Sequence, residues 1–216
     1  MASKELVDRF QNAFTKPEEV NADEYQKIIE ANATKAADNA ERLTFILLGL
    51  ATLLILIVQG QIKKLDLGFV VIEDPSIILI AIPVLIAYIH YDLIATLSKF
   101  DLLSIIHKVI IKQRHSSIHA KGLTKYFLFL PTLYENKYHS KDGIVGNIQS
   151  WLWFLEFLFI AIVTPFGSEW VAFTKLRTLS NPEYSSLLIV SLVITVILNT
   201  HSVLTIITLF QRAGDK

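Results

Sequence analysis

The chain has 216 residues, 52% of them hydrophobic, and its mean hydropathy of +0.47 exceeds that of a typical soluble domain. Its 20 basic and 20 acidic residues balance, and no basic face is interleaved with aromatic residues, so no nucleic-acid partner is expected. The absence of cysteine excludes disulfides, thiolate metal sites and cysteine nucleophiles.

Four apolar runs are each long enough to cross a hydrocarbon core as a helix, which takes about 20 residues. The runs lack the alternation of barrel strands, and backbone groups in lipid must pair within each segment, so helices are predicted. We expect an all-α integral membrane protein whose four transmembrane helices form two hairpins, with a cytoplasmic N-terminal helix and a cytoplasmic helical middle loop. The predicted spans are 43–60, 76–97, 148–166 and 185–210.

These spans divide the chain into five predicted segments. They are 1–42 (cytoplasmic), 43–97 (first hairpin), 98–147 (cytoplasmic loop), 148–210 (second hairpin) and 211–216 (cytoplasmic tail). Asp74 before Pro75 predicts the start of the second helix, and Asn181, Pro182 and Glu183 predict the start of the fourth in the same way.

The positive charges predict the orientation. Sixteen of the 20 lysine and arginine residues lie before the first span, between the second and third spans, or after the fourth. The positive-inside rule therefore places both termini and the middle loop in the cytoplasm. The expected location is a bacterial inner membrane. The first apolar run begins only near Leu43, after a long charged segment, so no cleaved signal peptide is expected.

Two cytoplasmic segments carry helical patterns. Residues 3–14 predict a short amphipathic helix, and the capping box Asn21–Glu24 predicts a continuous helix that runs into the first span. The alanine-rich face of this helix suits either a partner helix or solvent. Apolar residues between Phe100 and Ile111 predict a helix that continues the second span or lies on the inner leaflet.

Glu156 interrupts the apolar run "WLWFLEFLFI" of the third span. An ionised carboxylate at membrane depth is costly, so it pairs, faces a water-filled cavity or stays protonated. His201, Asn199, His90 and Asp92 are predicted at similar depths on the second and fourth spans. Such an intramembrane polar cluster serves proton or cation passage, because imidazole titrates near neutral pH, or it holds the helices together by hydrogen bonds.

A second polar pattern lies along the fourth span. Ser191, Thr195, Asn199 and Ser202 are spaced to form one stripe on the helix. A stripe of hydroxyls and amides lines a pore at the centre of a homo-oligomer or forms a close helix–helix seam. Both interpretations stay open at this point.

Enzymatic motifs are absent, so no catalytic activity and no cofactor is expected. The sequence has no phosphate-binding loop, no Gly-x-Ser-x-Gly and no His-Glu-x-x-His. His107, His115 and His119 share a helical face, but no acidic residue is placed to complete a metal site, so none is predicted.

These observations predict a homo-oligomeric protein in contact with membrane lipid that conducts ions or perturbs the membrane. A cytoplasmic signal or soluble partner would gate it. Four spans with cytoplasmic helices also occur in small channels, accessory subunits and the membrane effectors of bacterial stress and antiphage defence, an analogy of shape alone. The alternative is a non-conducting membrane sensor or scaffold that recruits a soluble cytoplasmic partner.

Overall fold

A computed structural model describes residues 22–62, 64–66, 68, 71–72, 74–114, 152, 155–179 and 184–214. Within these ranges, four helices are long and apolar enough to cross a membrane, so the all-α class and its four long apolar helices are confirmed. The candidate spans are Glu24–Val58, Ser76–Ile111, Leu155–Thr178 and Ser185–Gln211. The predictions for residues 3–14, Asn21, 115–147 and 181–183 lie outside the described residues.

The helices and strands follow in chain order. Helix α1 covers Ala22–Val58, and β1 (Leu65–Asp66) pairs antiparallel with β2 (Val71–Ile72). Helix α2 covers Pro75–Arg114, a π-helical turn covers Phe159–Val163, α3 covers Thr164–Leu179 and α4 covers Ser185–Gly214. Helix α1 thus runs unbroken into the first apolar run, as predicted. Helix α2 runs on to Arg114, so the residues between Phe100 and Ile111 continue the second span, which is one of the two predicted alternatives.

The chain forms two compact units, each described by itself. The first comprises Met1–Glu41, Ala95–Ser150 and Ile207–Lys216; the second comprises Arg42–Ile94 and Trp151–Ile206.

In the first unit, the beginning of α1 packs against the end of α2. Ala36 and its alanine neighbours contact Phe100, whereas Ile29, earlier in α1, contacts Ile106 and Ile110, later in α2. The two segments therefore run antiparallel, and the small alanine side chains allow them to approach closely. The sequence predicted that the alanine face contacts either a partner helix or solvent. In the structure, α2 of the same chain covers it.

In the second unit, α2 and α4 run parallel. The Tyr184 hydroxyl donates to Oδ2 of Asp74 at 2.8 Å, and the Ser191 hydroxyl donates to the Ile80 carbonyl at 2.9 Å. These partners are 110 and 111 residues apart in sequence, so the two helices keep a constant register.

The third helix differs from its predicted bounds. The predicted span ends at Phe166, but the helix continues to Leu179. Pro165 lacks a backbone N–H and disrupts a regular α-helix. The π-helical turn just before it, in which the Thr164 N–H donates to the Phe159 carbonyl, takes up that disruption. Residues 167–178, expected in a connecting loop, are therefore helical and part of a candidate span.

Candidate functional site

A buried carboxylate on α3 is the centre of the site. Glu169 is only 4% exposed, and Asn199 of α4 is 8% exposed. The Asn199 amide Nδ2 donates a 2.5 Å hydrogen bond to Oε2 of Glu169. The helical periodicity of α3 turns Glu169 inward together with Ser168, Ala172 and Leu176, which are also buried.

Several buried polar atoms of the second unit have no hydrogen-bond partner among the described residues. Leaving a buried polar group unpaired costs about 1–3 kcal/mol, so a group of them in one apolar unit indicates a site for a ligand, a proton or water. The atoms are Oε1 of Glu169, Oδ1 of Asn199, Oγ1 of Thr195, Oγ1 of Thr164 and both ring nitrogens of His90.

His90 brings α2 to the same site. Its side chain is fully buried, and its ring packs edge-on against the ring of Phe166, with 5.9 Å between centroids. Neither ring nitrogen has hydrogen-bond geometry to a described residue, but the Asn199 side chain and the Ala161 backbone are near enough to act on the ring electrostatically. The imidazole is thus a neighbour of Asn199, the residue that binds Glu169.

The carboxylate lies at the wall of a groove between α3 and α4. The groove has a volume of about 450 Å³ and is shallow, more open than enclosed. Glu169, Thr195, Asn199 and Thr200 supply its polar groups; the other lining side chains are apolar or aromatic, among them Phe166, Trp170, Phe173, Leu192, Val196 and Val203. A concave apolar surface with a few convergent polar groups is typical of a small-ligand site.

The residues of the predicted polar cluster separate in the structure. His90 and Asn199 lie together as described, and the His201 ring contacts the ring of Tyr91 with centroids 6.2 Å apart. Glu156 is exposed and Asp92 is half-buried, and neither hydrogen-bonds to a described residue. Within the described chain, the buried carboxylate is Glu169 and not Glu156.

The polar stripe of α4 faces the interior of the second unit. Ser191, Thr195, Asn199 and Ser202 are all buried, while their neighbours on α4 are mostly exposed. Ser191 forms a seam with α2 through its bond to Ile80, and Ser202 donates to the Leu198 carbonyl of its own helix. Thr195 and Asn199 instead face the groove, so the stripe combines a seam with part of the candidate site.

Sequence reasoning missed Glu169, although a signal was present. The predicted third span ended at Phe166, which left Glu169 outside the predicted spans. The small or polar residues Ala161, Thr164, Ser168 and Ala172 continue at helical spacing through that boundary, and all four are buried. Following that periodicity past the proline would have placed Glu169 on the buried face.

A second carboxylate connects the starts of α2 and α4. Oδ1 of Asp74 accepts from the Ser76 backbone N–H at 2.8 Å, which confirms Asp74 as the cap of α2, and Oδ2 accepts from the Tyr184 hydroxyl. The backbone N–H of Ser76, followed by the Tyr184 hydroxyl, holds the pKa of Asp74 below its ordinary value. This carboxylate is satisfied on both oxygens and serves as a structural link.

In the first unit, Glu30 joins α1 to α2. Its Oε1 accepts from Nε2 of Gln26 at 2.8 Å and lies 3.0 Å from Nε2 of His107, whose side chain is buried. His107 thus contacts a carboxylate, while the other two histidines of the predicted face lie outside the described residues. Among the residues that the structure describes, no three histidine, aspartate or glutamate side chains are grouped to hold a metal ion.

Comparison with known proteins gives no relative: no protein-family model, curated protein or solved structure matches the chain.

Proposed function

We propose that the protein is a multi-pass membrane protein of a bacterial inner membrane that passes or gates protons or small cations through the second unit. In this proposal the four helices form two hairpins, and both termini and residues 98–147 lie in the cytoplasm. The observation that supports it best is the Glu169–Asn199 pair, because a carboxylate buried among apolar helices with one free oxygen is characteristic of an ion or proton pathway.

The chemistry of the pair suits a transient cation site. Oε1 of Glu169, Oδ1 of Asn199 and Oγ1 of Thr195 are buried acceptors without a described partner, and their three residues all belong to the lining of one groove. A proton or small cation that binds there satisfies the carboxylate and removes the cost of its burial. When it leaves, the imidazole of His90 is the neighbouring group able to carry a proton onward.

Exposed apolar side chains support contact with lipid and a homo-oligomer. Along α4, large apolar side chains such as Leu187, Ile189, Val196 and Ile197 are each more than half exposed. A soluble monomer rarely exposes such a continuous apolar surface, whereas a helix that faces lipid or a second copy does. We propose that copies of the chain assemble through these helices.

Gating by a cytoplasmic signal completes the proposal. Helix α1 begins at Ala22, well before its apolar run, and α2 continues to Arg114, well past its own. These extensions present surface for a soluble partner. The signal would be a stress such as phage infection, as the architecture suggested from the sequence.

Flux measurements on proteoliposomes test this function. The purified protein is reconstituted, and proton and potassium flux are compared with protein-free vesicles, for the full chain and for a chain without residues 1–20. We expect flux in both, because the buried site lies in the second unit. Flux no greater than in empty vesicles would contradict a conducting role.

The alternative function is a non-conducting sensor or scaffold. It is favoured by Ile28, an apolar side chain of α1 that is 50% exposed and is thus available to a soluble partner. A scaffold would give no flux, and substitutions at Glu169 would not affect its function. Removal of residues 1–20 or an Ile28→Glu substitution would abolish recruitment of the partner.

A further inference from the structure

The groove at Glu169 combines two features that proton passage alone does not need. It is large, at about 450 Å³, and its α3 side is aromatic, formed by Phe166, Trp170 and Phe173. A proton or a small inorganic cation requires only a few oxygen atoms. A groove of this size and composition is suited to an organic molecule.

The charge of that molecule follows from the polar groups. The carboxylate of Glu169 is more than nine-tenths buried, lines the groove and keeps Oε1 without a partner. The other groove side chains are uncharged, so the site carries at most one negative charge. A ligand that bears one positive charge compensates the buried carboxylate, and an anion would meet it unfavourably.

The aromatic side chains add a second preference for a cation. Cations are attracted to the faces of aromatic rings within about 6 Å, most strongly to tryptophan and more strongly when water is excluded. Trp170 is 75% exposed and follows Glu169 directly in sequence, so its indole stands at the rim of the groove. The apolar side chains of α4 then suit the hydrocarbon part of the ligand.

We propose that this groove binds a lipophilic organic cation, such as a quaternary ammonium or phosphonium ion, with its charge at Glu169 and its apolar groups between the aromatic side of α3 and the apolar side chains of α4. The inference rests on the proposed role of Glu169 in cation binding, and it names a substrate class for that site. The cation would enter from the lipid, into which such ions partition.

Equilibrium dialysis with tetraphenylphosphonium tests the proposal on the full chain in detergent micelles, with protein-free micelles as the blank. Tetraphenylborate, which has nearly the same shape and the opposite charge, is the matched control ligand. We expect saturable binding of the phosphonium only. Glu169→Gln should weaken that binding about tenfold or more, since it removes the charge that the cation meets, and Trp170→Ala should weaken it less.

Asp38→Asn, which alters an exposed carboxylate of α1, is the matched protein control and should bind as wild type does. Thermal unfolding and gel filtration establish that each variant is folded. Equal binding of the two ions, or unchanged phosphonium binding in folded Glu169→Gln, would overturn the proposal. Proton flux that depends on Glu169 without phosphonium binding would overturn this inference alone, whereas phosphonium binding without any flux would support it and contradict only the conducting function.

Discussion

Asn199 holds one oxygen of the Glu169 carboxylate by a 2.5 Å hydrogen bond, although the two residues lie 30 positions apart on different helices. The other oxygen is buried and has no partner among the described residues, and the Glu169 side chain belongs to the lining of a groove. An amide thus fixes the carboxylate in place while leaving it able to take up a proton or a cation. This relationship is the basis of the proposed function.

The Asn199–Glu169 bond should be measurable as a coupling energy. Asn199→Ala removes the donor and leaves the buried carboxylate unsatisfied, which should lower the free energy of unfolding in detergent by about 1–3 kcal/mol. When Glu169 is already replaced by leucine, Asn199→Ala should lower the free energy of unfolding by less. The difference between the two costs is the coupling energy, and interhelical couplings of this kind in membranes reach about 1.7 kcal/mol. A double-mutant cycle by thermal or denaturant unfolding checks this, and strictly additive effects would show that the bond contributes no stability.

The extended third helix predicts a pattern of chemical labelling. The chain has no cysteine, so single cysteines introduced at Val171 and Gln61 can be labelled without a background. Val171 lies in the candidate span Leu155–Thr178, and Gln61 follows α1 in the exposed connection. In spheroplasts, a membrane-impermeant maleimide should label Gln61→Cys and not Val171→Cys. Lys27 precedes the predicted membrane span 43–60 and lies on the predicted cytoplasmic side, so a cysteine there should react only after the membrane is disrupted.

Equal and rapid labelling at Val171 and Gln61 would indicate that the helix leaves the membrane near Phe166, as the sequence suggested. Labelling of Lys27→Cys in intact spheroplasts would instead reverse the predicted orientation.

The Asp74 cap predicts a stability that depends on pH. The folded state holds the pKa of Asp74 below its ordinary value, so the stabilisation is complete above a pH of about 3.9 and is lost as the pH falls through the folded-state pKa. Asp74→Ala should therefore reduce the free energy of unfolding by about 1 kcal/mol near neutral pH. The difference between wild type and variant should shrink in acid.

Two variants separate the contributions at this position. Asp74→Asn retains a capping side chain but not the charge, and Tyr184→Phe removes only the hydroxyl that donates to Oδ2. Unfolding midpoints measured from neutral to acidic pH should place both between wild type and Asp74→Ala. A difference between wild type and Asp74→Ala that stays constant down to strong acid would contradict the charged cap.

The Glu30–His107 contact should stabilise the first unit more than the Gln26–Glu30 contact does. Glu30→Ala removes both contacts and should cost about 1–3 kcal/mol, because it leaves the buried Nε2 of His107 without its carboxylate. The excess of this cost over that of Gln26→Ala measures the Glu30–His107 contact. Gln26→Ala removes only the hydrogen bond between Gln26 and Glu30, which lie one turn apart on α1. Side-chain pairs at this spacing stabilise isolated helices by about 0.2–0.5 kcal/mol. Limited proteolysis of the segment around α1 measures both variants, and a larger effect from Gln26→Ala would contradict this ranking.

The sequence predicted the long apolar helices well because their length and hydropathy are local properties. It also identified Asp74 as a cap, since a cap depends only on neighbouring residues. It did not find Glu169, because the effect of Pro165 depends on the π-helical turn that accommodates it. It also did not pair Glu30 with His107, which requires the antiparallel packing of segments that lie 77 residues apart.

Proton flux in proteoliposomes containing wild type, Glu169→Gln or Glu156→Gln decides whether Glu169 lies on a conduction path. Asp38→Asn is the control for loss of an exposed carboxylate. Vesicles carry a pH-sensitive dye, and flux is driven by a potassium diffusion potential. We predict that Glu169→Gln reduces flux about tenfold or more while staying folded and assembled, because its side chain cannot exchange a proton. The Asp38→Asn rate should equal the wild-type rate. Full flux in Glu169→Gln, with loss only in Glu156→Gln, would contradict the account and place the path on the exposed face of the third span.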